Sequence, residues 1–370
     1  MEDLYREASR QFIICNACRY CEGFCAVFPA IERRLWSYDR GYIDYVANLC
    51  HDCRDCFYSC PYVSPNPFSI NIPLLLSSIR LESYKRYTFP EQVSRIFFTR
   101  PLLSGLIVTL ISMALVYLYV ILVGDPSRLL EGHRGPGSFY RIIPYDAIMI
   151  GGMALLAYII AVLSISSYRY WRSIGSTGSK HLIKPLIAGV WDAVSHRYFR
   201  GGGTGCSYPG DKPGYIRLYL HLSIFTGFML AILSTISAAI YQELLGILPP
   251  YGLTTPPVVL GTAGGFLIIM GSTGLLYLKS RSNKEIIDRN MLRLDVFMLV
   301  LLDLIALTGL LVMILRDTIY MGFILTTHMG FVIALFIIAP YSKIIHMLYR
   351  TLSLAKYNNQ SPYQGMRRNR

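Results

Sequence analysis

The sequence predicts a mainly α-helical membrane protein, in which a bundle of six transmembrane helices follows a helical, cysteine-rich N-terminal domain. Composition is the first observation, because 53% of the 370 residues are hydrophobic and 15% are charged, whereas about 25% of a typical soluble protein is charged. The second is the crowding of eight of the nine cysteines into residues 15–60. The third is a series of six apolar stretches after residue 100. Together these observations predict a polar domain joined to a membrane domain.

The N-terminal domain, predicted over residues 1–70, contains two cysteine motifs with the same spacing, C-x2-C-x2-C-x3-C. They lie in "ICNACRYCEGFC" and "LCHDCRDCFYSCP". In two-cluster ferredoxins with this spacing, three close cysteines bind one cluster and the fourth binds the other. We therefore predict a helical ferredoxin-like domain with two [4Fe-4S] clusters. The predicted iron ligands are Cys15, Cys18, Cys21 and Cys60 for one cluster, and Cys50, Cys53, Cys56 and Cys25 for the other.

Zinc is the alternative metal for these cysteines. Structural zinc sites prefer pairs of cysteines that are separated by a longer gap, so four cysteines within eleven residues favour an iron–sulfur cluster. A proline directly follows Cys60 but not Cys25, which is a difference from small ferredoxins. The ninth cysteine, Cys206, lies in the glycine-rich stretch "GGGTGCSYPG". It is predicted to be a reduced structural thiol in a cytoplasmic loop that can pack against the clusters or against a partner.

The apolar stretches predict six membrane-spanning helices, because about 20 residues of helix cross the hydrocarbon core of a bilayer. Of the 35 Lys and Arg residues, 31 lie before the first span, after the last and in alternate loops. This bias predicts a multi-pass protein of the cell membrane with both termini and the cysteine domain in the cytoplasm. It also explains the net charge of +13 without a nucleic-acid partner. The predicted spans are residues 102–123, 147–168, 218–240, 257–278, 296–315 and 319–341.

Three further segments connect or flank these elements. Residues 71–100 are predicted to be a helical linker to the membrane. The cytoplasmic loop 169–217 contains "HLIKPLIAGVWDAVSHRYFR", whose apolar residues at helical spacing and basic flanks predict an interfacial helix on the bilayer. Residues 349–370 are predicted to be a basic cytoplasmic tail.

Three histidines in or near the spans are candidate haem ligands, because an imidazole inside a membrane is costly and usually functional. A haem between two helices needs two imidazoles at matching depth. His221 and His346 share a depth near the cytoplasmic side and are the best pair. His328 lies 18 residues before His346, or about 27 Å along one helix and on the same face. His328 is therefore either the alternative partner of His221 or the ligand of a second haem. For each of the three histidines, the structural alternative is a hydrogen bond to a neighbouring helix. The haem-binding domain is predicted over residues 101–348.

The other histidines are predicted not to be ligands. His181 and His196 belong to the predicted interfacial helix and are expected at the surface, and His51 and His133 are likewise not expected to bind a cofactor. Asp303, in the middle of the fifth span, has two interpretations. It either bonds a neighbouring helix or lies on a proton path to a quinone.

The cysteine motifs, the glycine-rich loop and "GFILTTHMGFVIALFIIAPYSKIIHMLYR", in a six-span layout, resemble the tricarballylate-utilisation and citrate-utilisation protein B family over nearly the whole chain. The resemblance implies a membrane electron-transfer subunit with two [4Fe-4S] clusters and haem b. Such a subunit reoxidises the FAD of a partner dehydrogenase of the tricarballylate-dehydrogenase type and passes electrons to the quinone pool. It supports the eight cysteines as cluster ligands and His221, His328 and His346 as haem candidates. The last span is also similar to that of the membrane subunit of respiratory nitrate reductase, where two histidines serve two haems.

The chain has no G-x-G-x-x-G motif that opens a βαβ unit, so it encodes no flavin or nicotinamide fold. It also offers no substrate site of its own, and we expect the substrate chemistry in another polypeptide. Two alternatives stay open. The chain could be the membrane anchor of a heterodisulfide-reductase-like or succinate-dehydrogenase-like complex, or a zinc-binding membrane scaffold without redox function.

Overall fold

The computed structural model describes residues 2–34, 37–175 and 183–360. These residues form α-helices, short 3-10 turns and one small antiparallel pair of strands. Six of the helices are long and apolar enough to cross a membrane, which confirms the predicted mainly α-helical bundle. His181 and the end of the predicted basic tail, residues 361–370, lie outside the described residues.

The N-terminal module, defined here as the described part of residues 2–99, is built from six helices. Helix α3 begins where the Asp39 carboxylate accepts a hydrogen bond from the Tyr42 N–H at 2.9 Å. Helix α5 begins where the Asn71 side chain accepts one from the Leu74 N–H at 3.1 Å. Both bonds satisfy an N–H group that a helix start leaves unpaired. The helices are α1 (Glu2–Cys18), α2 (Val27–Glu32), α3 (Arg40–Leu49), α4 (Asp55–Tyr58), α5 (Ile72–Tyr87) and α6 (Glu91–Thr99).

Helix α5 lies at the centre of the module. Its side chains Leu76, Ile79 and Tyr84 are fully buried. They belong to one hydrophobic core that begins at Tyr5 and extends to Leu354. The segment predicted as a linker is therefore two packed helices, α5 and α6, and the module shares its core with the membrane domain.

The membrane domain contains the six predicted spans and two shorter helices. The short strands precede the third span and pair antiparallel, with Cys206 opposite Gly214. The spanning helices are α7 (Pro101–Leu122), α8 (Tyr145–Ser173), α10 (Ile216–Glu243), α11 (Pro256–Arg281), α12 (Arg289–Leu315) and α13 (Met321–Ile338). The remaining elements are α9 (Ile183–Val194), α14 (Ile345–Asn359), β1 (Cys206–Ser207) and β2 (Pro213–Gly214).

The last span is interrupted before His346. Helix α13 ends at Ile338, a 3-10 turn follows, and α14 begins only at Ile345. Pro340 in this turn has no N–H to continue a helical ladder, and Ser342 is extended, with φ −122° and ψ −171°. His328 and His346 therefore lie on separate helices. The expectation that they share one face of a continuous helix is wrong.

Helix α10 packs mainly against one helix. It lies along α11 and makes no extended contact with another spanning helix among the described elements. Glycine permits the close approach, because a Cβ added at Gly227 would lie 2.7 Å from the Gly264 carbonyl oxygen. Small residues at helix crossings allow such backbone contact inside membranes. Side chains of α10, among them Ile224 and Phe228, also contact a core cluster that includes Met298 of α12.

Helix α9 has the pattern expected of an interfacial helix. Its Gly189 faces α14 so closely that an added Cβ would lie 2.6 Å from the Ala355 nitrogen. Its other face is apolar, and Ile183, Ile187 and Trp191 are 74%, 64% and 71% exposed. An amphipathic helix beside the spans, with its apolar face uncovered by protein, is suited to lie in the bilayer surface.

Candidate redox centres

The first set of predicted cluster ligands lies near the surface of the module. Two of its cysteines come from the last turn of α1 and its immediate end, and a third lies in the turn that follows. A cavity of about 30 Å³, partly open to solvent, lies between the sulfurs and is also lined by Cys56 of the second set and by Tyr20 and Tyr62. Burial, followed by the negative charge of the neighbouring cysteines, raises the pKa of Cys15 to about 12. The four members are Cys15, Cys18, Cys21 and Cys60, so the structure brings the fourth cysteine of the second motif to the first motif.

The second set lies deeper, between the module and the membrane domain. Cys50 and Cys53 are buried. Burial and the nearby Cys50 sulfur raise the pKa of Cys25 to about 12. Burial, followed by the Cys50 and Cys25 sulfurs, likewise raises the pKa of Cys56. The Asp52 N–H also donates to the Cys50 sulfur at 3.3 Å. Cys25 of the first motif thus joins Cys50, Cys53 and Cys56 of the second, which is the crossed arrangement that the spacing predicts.

Both sets fit an iron–sulfur cluster by their donor chemistry. Buried thiols with raised pKa values keep their protons unless metal cations stabilise the thiolates. A set of four cysteines suits an iron–sulfur cluster, whose four thiolate ligands surround a larger body than one tetrahedral ion does.

Cys206 lies beside the second set, in the glycine-rich loop. Its thiol donates to the Phe199 carbonyl oxygen at 3.8 Å, and its sulfur lies close to that of Cys53. The loop is fixed to the module because the Asp55 carboxylate accepts a hydrogen bond from the Ser207 N–H at 2.6 Å. Gly201 also lies against Asp55, with φ +46°, a backbone conformation that favours glycine. The loop therefore packs against a predicted cluster site, as its sequence suggested.

His221 on α10 and His346 on α14 face one another. Their ring centroids are 6.4 Å apart and the ring planes are inclined by 83°. Two imidazoles that bind one metal from opposite sides have ring centroids about 6 Å apart, because each metal–nitrogen bond is about 2 Å long. The distance between these rings is thus suited to a shared haem iron.

The hydrogen bonds of the two rings leave the same nitrogen available. The Nδ1 atom of His221 lies 3.1 Å from Nε2 of His196, and Nδ1 of His346 contacts the Lys343 carbonyl oxygen. Metal-binding histidines commonly have their second nitrogen held in this way. The Nε2 atoms of His221 and His346 are therefore the ones that would bind haem iron.

His328 and Asp303 lie farther into the membrane domain and contact neighbouring helices. Nδ1 of His328, on α13, is 3.0 Å from the Thr308 hydroxyl on α12. The Asp303 carboxylate on α12 accepts hydrogen bonds from the hydroxyls of Ser272 and Thr273 on α11, the second at 3.2 Å. These are the helix–helix bonds that the structural alternatives describe. The structure pairs His346, and not His328, with His221.

Sequence reasoning misplaced His196. The expectation that His196 is a surface residue is wrong, because its side chain is buried, with the residue 6% exposed, and bonds to His221. His196 follows α9 in a turn with φ +52°, so helical periodicity could not place it. The His51 ring lies 5.0 Å from the Phe199 ring, which lies 5.5 Å from the His221 ring. His133, by contrast, only contacts the Arg128 carbonyl oxygen, at 2.9 Å, in the described structure.

Comparison with known proteins identifies the family. A family model described as citrate utilization protein B matches residues 98–365, and the model of that family's Fer4-like domain matches residues 8–86. Citrate utilization protein B of Escherichia coli is 37% identical over 355 residues, which are 95% of this chain and 91% of that protein. The chain belongs to the citrate utilization protein B family. No solved structure shows a significant match.

Membership of the citrate utilization protein B family confirms the predicted family and the ferredoxin-like class of the N-terminal module. A Fer4-like domain indicates iron–sulfur binding and an electron-transfer role. The match to this domain ends at residue 86, close to the end of α5. The family's iron–sulfur domain thus includes the helix that fills the centre of the module. The six apolar helices are compatible with a multi-pass membrane protein.

Proposed function

We propose that this protein is a membrane electron-transfer subunit that reoxidises a partner FAD-dependent dehydrogenase and delivers the electrons to the quinone pool. One observation carries the proposal. A line of ring contacts leads from His51, inside the second cysteine motif, through Phe199 to His221 and His346. Two [4Fe-4S] clusters and haem b, bound at the cysteine sets and the histidine pair, would supply one-electron transfer between a flavin and a quinone.

The residues around the proposed centres have separate tasks. The surface set, with the exposed Cys18 and the exposed Tyr20 beside it, presents a redox site to a partner. The second set is covered by the glycine-rich loop and the bundle, which excludes water from it. His196 orients the His221 ring for an iron ligand. We propose that the module faces the cytoplasm of the cell, because the basic residues concentrate on its side of the spans.

The partner is proposed from the family resemblance to be a flavoprotein of the tricarballylate-dehydrogenase type. An anchor subunit of a heterodisulfide-reductase-like or succinate-dehydrogenase-like complex would use the same cysteines and histidines with another partner. A zinc-binding scaffold would use the cysteines alone. The metal content separates the redox candidates from the scaffold.

Metal analysis of the full chain, purified anaerobically in detergent, tests the proposal. We expect about eight irons and eight acid-labile sulfides per chain, together with a reducible b-type haem spectrum. Two neighbouring cysteines provide a matched pair of variants. Cys53→Ser is expected to lose about half of the iron, because it removes a proposed ligand, whereas Cys206→Ser is expected to keep all of it. Zinc in place of iron would refute the proposed function.

A further inference from the structure

Four arginines from different elements converge on the second cysteine motif; Arg54 and Arg80 are buried, and Arg217 and Arg350 are partly buried. Arg54 belongs to the motif itself, and the others come from α5, α10 and α14. Arg80 Nη1 donates to the Cys50 carbonyl oxygen at 2.7 Å. Arg217 Nη2 donates to that of His51 at 3.0 Å, and Arg350 Nη2 to that of Leu49 at 3.2 Å. Successive carbonyl groups next to the second cluster site are thus each held by an arginine.

Three of these guanidinium groups have an N–H without an acceptor among the described residues. The atoms are Nη2 of Arg54, Nε of Arg80 and Nε of Arg350. A buried, charged donor without a partner is costly, so their environment is suited to an anion. The thiolates of the second set are candidates, because the charges of Cys25 and Cys50 act on Arg350.

The other arginines complete this positive environment. Arg80 also acts on Cys50, and Arg217 acts on Cys53 and lies over the rings of Phe199 and Tyr208. Asp52 and Asp55 offset part of the charge of the four arginines, and Asp295, which also acts on Arg80, is itself paired with Lys279 and Lys343. The arginines therefore leave an excess of positive charge around the buried site.

The surface site differs from the buried site in its surroundings. The charged groups that act most strongly on Cys15 and Cys21 are neighbouring cysteines and Asp55, all of which are negative when ionised. Arg350 is among the leading influences on Cys25 of the buried set. In the described part of the chain, however, Cys53 and Cys56 have no arginine among theirs, and Asp55 acts on Cys53 as well as on Cys21. Cys18 is also exposed to solvent. The two sites thus differ in charge and in burial.

These surroundings act on the reduction potential. A cluster held by four thiolates is negatively charged and becomes more so on reduction, so net charge and solvent exposure tune its potential. Nearby positive charge stabilises the reduced form, most strongly where water is excluded. We infer that the arginines Arg80, Arg217 and Arg350 make the buried site the one of higher potential, so that electrons enter at the surface site and leave from the buried site towards His221 and His346. For each electron transferred, the surface site is oxidised by one electron and the buried site is reduced by one. This inference rests on the proposed function.

The test is a redox titration of the full chain in detergent, followed by electron paramagnetic resonance. The wild-type protein is expected to show two clusters with different midpoint potentials. Arg80→Gln and Arg350→Gln are expected to lower the higher potential and to leave the lower one unchanged. Arg350→Lys, which keeps the charge, should restore most of the difference. Arg95→Gln is the matched control, because Arg95 is exposed and paired with Glu91 on α6.

A second measurement needs no variant and identifies the sites directly. A water-soluble paramagnetic relaxing agent should broaden the signal of the lower-potential cluster, because that cluster is at the surface. Equal potentials, a broadened high-potential signal, or glutamine variants that retain their iron without shifting the higher potential would each overturn the inference. A chain that contains no clusters would instead refute the proposed function, so the two failures can be told apart.

Discussion

His221 is held by protein groups on two sides. His196 contacts its Nδ1 atom and Phe199 packs against its ring. Fixing the ring in this way reduces the entropy that a ligand would otherwise lose on binding iron, and it selects the tautomer that leaves Nε2 free. The contribution of His196 thus comes through His221.

The histidine pair leads to the first prediction at this scale. His221→Ala and His346→Ala are each expected to abolish the reducible b-type haem spectrum, because each removes one of the two proposed axial ligands. Acid-labile sulfide should stay at the wild-type level, since neither histidine is a proposed cluster ligand. His328→Ala is expected to retain this haem, because His328 bonds Thr308 and not His221. Loss of all haem from His328→Ala, with none lost from His346→Ala, would show that the pairing is wrong.

His196 is expected to give a graded effect. Removing a group that orients a metal ligand typically weakens metal binding by about 10–100-fold without abolishing it. We therefore expect His196→Ala to retain haem with weaker binding, measured by competition with a soluble haem-binding protein. His133→Ala, a change of a buried histidine in a loop distant in sequence, should bind haem as the wild type does. Unchanged affinity in His196→Ala would contradict its role.

The sequence predicts these residues unequally, for physical reasons. The cysteines could be predicted because cluster ligation imposes a short, repeated spacing, although the placement of Cys206 against Cys53 depends on tertiary structure. His196 could not, because a turn sets its position. Arg80, Arg217 and Arg350 contribute to the Lys and Arg bias, which predicts membrane topology but not their position beside the second cysteine motif. Charge counts contain no information on which cations are buried.

The hydrophobicity of the sequence predicts which helices form, but it does not predict how they pack against one another. The six spans are uniform enough in polarity for their length to identify them. Helix α5 contains several charged residues and was interpreted as a linker, but Arg80 and Tyr84 are buried in it. The break after α13 was also missed, because Pro340 lies within an otherwise apolar stretch. Burial of charge and helix interruption both depend on neighbouring elements that composition does not reveal.

The contact between α10 and α11 allows a prediction at the scale of elements. Gly227→Val is expected to destabilise the protein by about 1–3 kcal/mol or more, because a Cβ there would lie 2.7 Å from the Gly264 carbonyl oxygen. Gly151→Ala on α8 is the matched control. An added Cβ at Gly151 has no neighbour within 4 Å, and alanine has the higher helix propensity by about 1 kcal/mol. Thermal unfolding in detergent measures both variants, and equal stabilities would contradict the packing argument.

The N-terminal module and the membrane domain, which the sequence predicts as separate domains, share part of their hydrophobic core. The core of the module includes Tyr170 of α8 and Tyr349 of α14, whose stacked rings are 4.3 Å apart. Arg217 and Arg350, which hold carbonyl groups of the second motif, also belong to the membrane domain. The cluster sites and the spans therefore depend on one another for their structure.

We expect that a fragment of residues 1–100 will not reproduce the iron–sulfur module. It lacks the apolar surface of α8 and α14 and the two arginines, so the buried site should be lost. After anaerobic reconstitution, we expect at most about half of the iron of the full chain, and circular dichroism should show no cooperative unfolding. A fragment that contains a full complement of iron and unfolds cooperatively would show that the module is independent.

The packing of α10 mainly against one helix has a mechanical consequence. Helix α10 has α11 as its only extensive helix neighbour in the described structure, and its other side is held near its start by the hydrogen bonds of Arg217 to the second motif. A haem iron bonded to both His221 and His346 would link α10 to α14 and restrain their relative motion. The cofactor would then restrain the motion of a spanning helix as well as transfer electrons. In the haem-free His221→Ala variant, the amide hydrogens of α10 should therefore exchange faster than in the wild type, whereas those of α12 should not.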